Sequence, residues 1–215
     1  LSEIANKHSL MLFEDAAQAH IAEYQNSPVG TFGTSAFSFY PTKNMTSAEG
    51  GMIVTSDPDV ARKARLLRNQ GMEKRYENEV VGFNNRMTDI HAAIGRVQLA
   101  SLQMRTERRR EIAKIYVDNL LNVTTPFVGD NVLHSYHQYT IRSEDRNSLS
   151  AHLSDKGVGN GIYYPIPVHE LPSFDIALDL PNTNLAAREV LSIPIHPFLS
   201  NQEVETVIKA VNSWS

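Results

Sequence analysis

The sequence predicts an α/β chain whose first part carries an open sheet and whose last part is a smaller α+β body, with a long helix between them. Three observations point there. Strand candidates and a well-punctuated helix fill the first 71 residues, a helical pattern runs from Thr88 to Leu121 with no proline to break it, and strand, helix and strand alternate after Pro126. At 215 residues and 41% hydrophobic content, the chain has apolar material for one large core or two small ones.

In "LSEIANKHSLMLFEDAAQAH" a short amphipathic helix leads into the apolar block Leu10 to Phe13, which reads as a buried strand ending at Glu-Asp and a run of small residues. A parallel strand needs parallel neighbours joined by crossovers, so a chain that opens in mid-unit, and without methionine, is expected to be a fragment or processed product lacking earlier strands. "TSAFSFY" and "GGMIVTS" are two further strand candidates, the second entered through Gly50-Gly51. "SDPDVARKARLLRNQG" has Asp57 as N-cap, Pro58 at the first helical position and Gly71 just past the end. Beyond Pro126, "YHQYTIR" and "VGNGIYYPIP" read as strands flanking the helix "DRNSLSAHLSDKG". The last helix opens at Ser200 with Glu203 three residues on, a capping box.

Charge and composition remove several classes of function. Twenty basic against 24 acidic residues leave a net charge of −4, which gives no reason to expect nucleic acid as the main partner. The basic run "RTERRREIAK" alternates with glutamates and reads as a solvated helix face. With no cysteine, disulfides, Cys-ligated iron–sulfur clusters and thiolate catalysis are excluded. No apolar run reaches the ~20 residues that span a bilayer, and the start lacks a basic stretch followed by an apolar block. A cytoplasmic location is expected, and the sequons "NMT" and "NVT" then read as chance matches. Eight histidines include no His-Glu-x-x-His pattern, and His134 and His137, three apart in a strand-like segment, are expected on opposite faces, so no metal is expected. His137 is expected to pack in the small domain, and one of Tyr163 and Tyr164 to point inward as core.

Two residues stand where chemistry belongs. Asp15 ends a strand, the edge at which open α/β sheets bind ligands, although capping a helix over "AAQAHIAEY" would equally explain it. Lys43 follows another strand among aromatic, hydroxyl and amide neighbours that can partly desolvate an amine, although a loop lysine is ordinarily a solvated charge. Together, an amine that can link covalently to a carbonyl and an acid that can hold a pyridine nitrogen protonated are what pyridoxal phosphate needs from a protein. Ser38, on the same segment as Lys43, is a candidate for the cofactor phosphate.

The motifs "EDAAQAH", "GTFGTSAFSFYPTKNMTSAEGGMIVTSD", "LLRNQGM", "GFNNRMTDIHAAIGRVQL", "YHQYTIR" and "YYPIPVH" occur in an order that resembles the DegT/DnrJ/EryC1/StrS family of sugar aminotransferases, which share the aspartate aminotransferase fold (fold type I). The resemblance implies that residues 1–86 are the C-terminal portion of the cofactor-binding large domain. Residues 87–125 are the interdomain helix and linker, and 126–215 the small C-terminal domain. Lys43 falls on the lysine that holds pyridoxal 5'-phosphate covalently and moves the proton, Asp15 on the partner of the pyridine nitrogen, and Gln18 on the glutamine beside the ring hydroxyl. Ser38 falls on a phosphate ligand, and Asn84 on the asparagine that reaches the other subunit's phosphate in a homodimer that shares its sites. Arg86, Tyr164 and His169 fall near the sugar-nucleotide pocket. The implied reaction moves an amino group from L-glutamate to a nucleotide-linked ketosugar in polysaccharide or antibiotic sugar biosynthesis. A non-catalytic regulatory or structural member of the fold is the alternative. A cofactor-dependent sugar dehydratase is the other, though those relatives carry histidine where Lys43 stands. Two glycines usual in the family are replaced, by Ile21 after "AQAH" and by Ala48 before "EGG". The early strands, the small-residue phosphate loop and the aromatic that stacks on the ring have no counterpart here.

Overall fold

The structure, a computed structural model, describes residues 1–174 and 176–214. It separates into two compact units, one comprising Leu1–Thr106 and Gly129–His137, the other Glu107–Val128 and Gln138–Ser215. Residues 129–137 therefore return to the first unit between two stretches of the second.

The first unit begins with α1 (Ser2–Lys7), then β1 (Phe13–Asp15), the hairpin of β2 (Glu23–Tyr24) and β3 (Ser27–Pro28), β4 (Thr34–Ser38) and β5 (Gly51–Val54). β4 lies between β1, to which it is parallel, and β5, to which it is antiparallel; Asp15 stands opposite Ala36, and Ser38 opposite Gly51. The expected strand Leu10–Phe13 is displaced: pairing covers Phe13–Asp15, and Leu10, Met11 and Phe13 are exposed. Hydrogen bonding, not apolar content, sets this register. The Glu14 carboxylate accepts from the backbone N–H groups of Gly30, Phe32 and Gly33 at 2.8, 2.9 and 2.9 Å, which turns the chain so that β4 can pair only from Thr34 onward. In the hairpin, Gln25 and Asn26 both take positive φ, as a two-residue turn of matching twist requires.

α2 (Pro58–Arg68) starts as expected, with Asp57 Oδ1 accepting from the N–H groups of Asp59 and Val60 at 2.8 and 3.2 Å. Beyond it come β6 (Met72–Lys74), β7 (Glu77–Asn78) and the 31-residue α3 (Asp89–Asn119). β8 (Val132–Leu133), from the returning segment, pairs with β2. The buried cluster of this unit is small: Phe39, Met45 and Leu102, flanked by Ile21 and Phe37.

In the second unit β9 (Tyr139–Arg142) pairs antiparallel with β10 (Val190–Ile193), and α4 (Arg146–Asp155), α5 (Pro181–Glu189) and α6 (Asn201–Asn212) complete it with the end of α3. Ile112, Tyr116, Tyr139, Ile141, Leu149, Leu153, Leu191, Val204 and Val211 are at most 1% exposed. α6 opens with the expected capping box: Ser200 Oγ accepts from Glu203 N–H at 3.2 Å and Glu203 Oε2 accepts from Ser200 N–H at 2.8 Å. The Ser200 N–H and hydroxyl, both donating to the carboxylate, hold the Glu203 carboxyl below its usual value. The second strand of this unit is β10, while "VGNGIYYPIP" contributes one bridge, Gly161 to Ser192. The backbone there leaves the ladder after Gly161, and both Tyr163 and Tyr164 are exposed. Arg109 is no solvated charge: it is buried, and its Nη1 donates to the Ile195 carbonyl at 2.6 Å. Among the described residues no helix is long and apolar enough to cross a membrane.

Candidate active site

Asp15 and Ser38 end two adjacent parallel strands, and the register fixes their relation. Side chains of paired residues lie on one face, and so do residues two apart along a strand, so Asp15, Ala36 and Ser38 share a face. With ~4.8 Å between strands and ~3.3 Å per residue, the Asp15 and Ser38 Cα atoms are about 8 Å apart. Ala36, exposed between them, presents only a methyl group and leaves that face open.

Asp15 does not cap a helix. Residues 16–22 form successive turns, with Ala19 N–H donating to the Ala16 carbonyl and Ala22 N–H to the Ala19 carbonyl, both at 3.0 Å. The Asp15 carboxylate accepts one bond, from Ala17 N–H at 3.1 Å, and is exposed. Gln18 is exposed as well, while its carbonyl accepts from Ser135 Oγ at 2.6 Å.

The chain from Ser38 to Gly51 is a tightly bonded loop. Ser38 Oγ accepts from Tyr40 N–H at 3.3 Å, Lys43 N–H donates to the Tyr40 carbonyl at 3.0 Å, and the Phe39 carbonyl accepts from Ser47 N–H and Thr46 Oγ1 at 3.0 and 2.9 Å. Phe39 and Met45, both buried, root the loop on either side of half-buried Lys43. Gly50 must be glycine: its φ is +152°, and a Cβ would come within 2.6 Å of Met87 Cε and Ser47 Oγ. Both departures from the family's glycines take the left-handed conformation, Ile21 at φ +56° and Ala48 at φ +67°.

One residue of this site was not singled out from the sequence. His20 is buried between Phe37 and Phe39, with ring centroids 5.7 and 5.9 Å away. Neither ring nitrogen completes a hydrogen bond among the described residues. Burial, and then the positive charge of Lys43, push its imidazole below the ordinary value, with the Ser38 carbonyl acting in the opposite sense. A lone histidine in an alanine-rich run carries no periodic signal that would reveal this placement.

Asn84 and Arg86 lie on a different wall of the first unit. Asn84 bridges Asn69 at the end of α2, and Arg86 Nη1 donates to Asn69 Oδ1 at 2.8 Å. Arg86 lines a cleft of about 630 Å³, together with Arg62, Arg65, Arg68 and Asn69. Tyr164 and His169 belong to the second unit. Tyr164 is exposed, whereas His169 is buried in a short 3-10 turn, Val168–Glu170, its Nε2 without a hydrogen-bond partner among the described residues. His137 belongs to the first unit, not to the small C-terminal one, because Nδ1 of its ring meets Asn44 Oδ1 at 3.2 Å. Residues 134–137 lie outside β8, so strand alternation does not govern His134 and His137. Among the described residues no cluster of three or more histidine or acidic side chains is arranged to hold a metal ion.

The donor set at the ends of β1 and β4 suits pyridoxal phosphate. Asp15 and Ser38 share an open face, Gln18 and Lys43 lie on the turns that follow the two strands, and among the described residues no side-chain hydrogen bond of Gln18 or Lys43 competes with a ligand.

The chain is similar to several known proteins. The chain is 38% identical over 222 residues to a protein of Geobacillus stearothermophilus named pleiotropic regulatory protein, covering 98% of this chain and 60% of that one. It is 37% identical over 224 residues to the dTDP-3-amino-3,4,6-trideoxy-alpha-D-glucose transaminase of Streptomyces venezuelae, covering 100% of this chain and 59% of the other. Among solved structures, S. venezuelae DesV in complex with a ketimine intermediate matches with a TM-score of 0.94 at 37% identity, over 99% of this chain and 60% of that one. The chain thus spans about 60% of the length of the curated relatives it matches. The family profile matches residues 1–212, and the chain belongs to the DegT/DnrJ/EryC1/StrS aminotransferase family.

Proposed function

We propose that the protein containing this chain is a pyridoxal phosphate-dependent aminotransferase that moves an amino group, from L-glutamate, to a nucleotide-linked ketosugar. The observation that carries this is the shared face of Asp15 and Ser38, with Lys43 on the loop that leaves β4. The similarity to the Streptomyces venezuelae transaminase supports the substrate class.

Bound pyridoxal phosphate supplies an electron sink that acidifies the carbon bearing the amino group. The protein's share is positioning and proton handling. Lys43 Nζ is the group that would hold the cofactor covalently and would take and return a proton at the substrate carbon bearing the amino group. The Asp15 carboxylate would keep the ring nitrogen protonated, Gln18 would bind beside the ring hydroxyl, and the Ser38 hydroxyl would donate to the phosphate. Asn84 serves a partner subunit's phosphate, with the active site shared across a homodimer. Arg86, Tyr164 and His169 bind the nucleotide sugar. Residues 1–86 form part of the cofactor domain, 87–125 the connecting helix and linker, and 126–215, apart from the returning segment 129–137, the small domain of a cytoplasmic enzyme.

Mixing L-glutamate with the cofactor-loaded full-length protein tests the reading. Wild type is expected to release one 2-oxoglutarate per site and the Lys43→Ala variant none in the same time. Release by the variant at the wild-type rate would remove Lys43 from the mechanism. A regulatory role is the second reading, favoured by the name of the Geobacillus relative. It becomes the better one if wild type binds the cofactor yet releases no 2-oxoglutarate.

A further inference from the structure

Ser135 touches both turns that carry the candidate active-site groups. Its hydroxyl donates to the Gln18 carbonyl at 2.6 Å, and its own carbonyl accepts from Asn44 Nδ2 at 2.9 Å. Asn44 follows Lys43 directly, and its Oδ1 meets the His137 ring at 3.2 Å. Ser135 is 3% and Asn44 8% exposed, so water does not substitute readily for either bond. The contacts span 117 and 91 residues of sequence, and the segment that makes them is anchored separately by β8 on β2 and by Gln25 N–H donating to the Asn131 carbonyl at 2.8 Å.

β1 and β4 are paired only as far as Asp15 and Ala36; β1 ends there, while β4 continues to Ser38 paired with β5 before its turn begins. A further bond joins the first turn to β4, Ala16 N–H donating to the Ala36 carbonyl at 3.0 Å. Past that point no backbone bond joins β1 to β4, and among the described residues Ser135 bonds to both turns. We propose that Ser135 and Asn44 are positioning residues, a clasp that fixes the separation of Gln18 from Lys43 and so sets the geometry in which Lys43 reaches its reactant. Neither side chain need touch substrate or cofactor. The catalytic consequence rests on the aminotransferase reading above, whereas the mechanical one does not. A misplacement of about 1 Å at a reacting group costs on the order of 10²-fold in rate, so two buried hydrogen bonds at this junction are worth more to turnover than to folding.

The test uses the full-length protein and the variants Ser135→Ala, Ser135→Thr and Asn44→Asp. Asn44→Asp keeps the shape of the side chain and sets an oxygen against the Ser135 carbonyl. Without cofactor, amide hydrogen exchange is expected to speed up at least about tenfold in both residues 16–22 and residues 39–47 of Ser135→Ala and Asn44→Asp, with β9 and β10 unchanged and Ser135→Thr close to wild type. With pyridoxal phosphate bound, kcat is expected to fall on the order of 10²-fold with KM for the amino donor within about threefold, and the visible band of the bound cofactor to shift. Unchanged exchange in the two turns of both variants overturns the clasp. So does exchange that rises equally in β9 and β10, or a Ser135→Thr variant as impaired as Ser135→Ala, since each marks a general loss of stability. Faster exchange confined to the turns with an unchanged kcat overturns the catalytic role. A wild type that neither binds the cofactor nor releases 2-oxoglutarate sinks the aminotransferase reading alone, because the exchange result stands without it.

Discussion

In the second unit a set of apolar side chains at most 1% exposed closes one core, from Ile112 and Tyr116 on α3 through Tyr139 and Ile141 on β9 to Val204 and Val211 on α6. In the first unit the buried apolar cluster is three residues with two neighbours, and Ser35, Asn44, Ser47 and Ser135 are buried alongside it. The sheet of the first unit leaves Phe13, Met52 and Ile53 more than half exposed. One region is thus held by volume and the other largely by directed bonds. A core held by volume tolerates isosteric swaps and punishes cavities, whereas a bonded loop tolerates surface changes and punishes the loss of a single polar atom.

Six substitutions would sharpen or break that contrast, taken from the largest effect downward. Lys43→Ala in the full-length protein is expected to lower amino transfer by at least about 10²–10⁴-fold while leaving the melting temperature within a few degrees, checked by steady-state kinetics beside calorimetry. Leu153→Ala, in the second unit, should cost about 2–5 kcal/mol by denaturant titration, against about 0.5 kcal/mol for Ile53→Ala on the exposed sheet. Equal costs for the two would abolish the distinction between the regions.

Acidification probes the first unit through its buried histidine. His20 has a lowered value in the folded state, so below the ordinary histidine range of ~6.5 the unfolded chain binds more protons than the folded one, and stability falls as pH drops through that window. The slope should not exceed about 1.4 kcal/mol per pH unit and should vanish in His20→Phe, whose ring suits the Phe37 and Phe39 neighbours. A slope that persists in His20→Phe assigns the effect to another group.

The smallest expected change is a gain. Ala48→Gly relieves a left-handed residue in an exposed turn and should stabilise by about 1 kcal/mol. Ile21→Gly should not, because it relieves φ +56° but removes a side chain packed on Phe39, Met45 and Leu102. A loss of stability in Ala48→Gly would show that the turn is not strained.

What could be read from the sequence follows the range of the interactions. The start of α2 at Asp57-Pro58 and the capping box Ser200–Glu203 depend on neighbours three residues apart, and both are as expected. Family motifs mark Asp15, Ser38 and Lys43 as candidates, and the structure places the first two on one face of the sheet. β1 was displaced because the Glu14 carboxylate, bonded to residues 16 to 19 positions away, decides where pairing begins. Arg109 was misread for the same reason: its partner, the Ile195 carbonyl, lies 86 residues on, so local alternation with glutamates could not indicate burial. β10 was missed because "VLSI" is a short apolar run before a proline, with no alternation to identify it as a strand. His137 was assigned to the wrong unit because only the long-range contact with Asn44 shows where it packs.

The central claim is that Lys43 is the amine that holds the cofactor. Reducing the pyridoxal phosphate-loaded full-length protein with borohydride and mapping its peptides by mass tests it most directly. A phosphopyridoxyl group on the peptide carrying Lys43, and absent from that peptide in Lys43→Ala, is the result predicted. Modification at another lysine with Lys43 untouched, or a protein that gives no adduct at saturating cofactor, would contradict it.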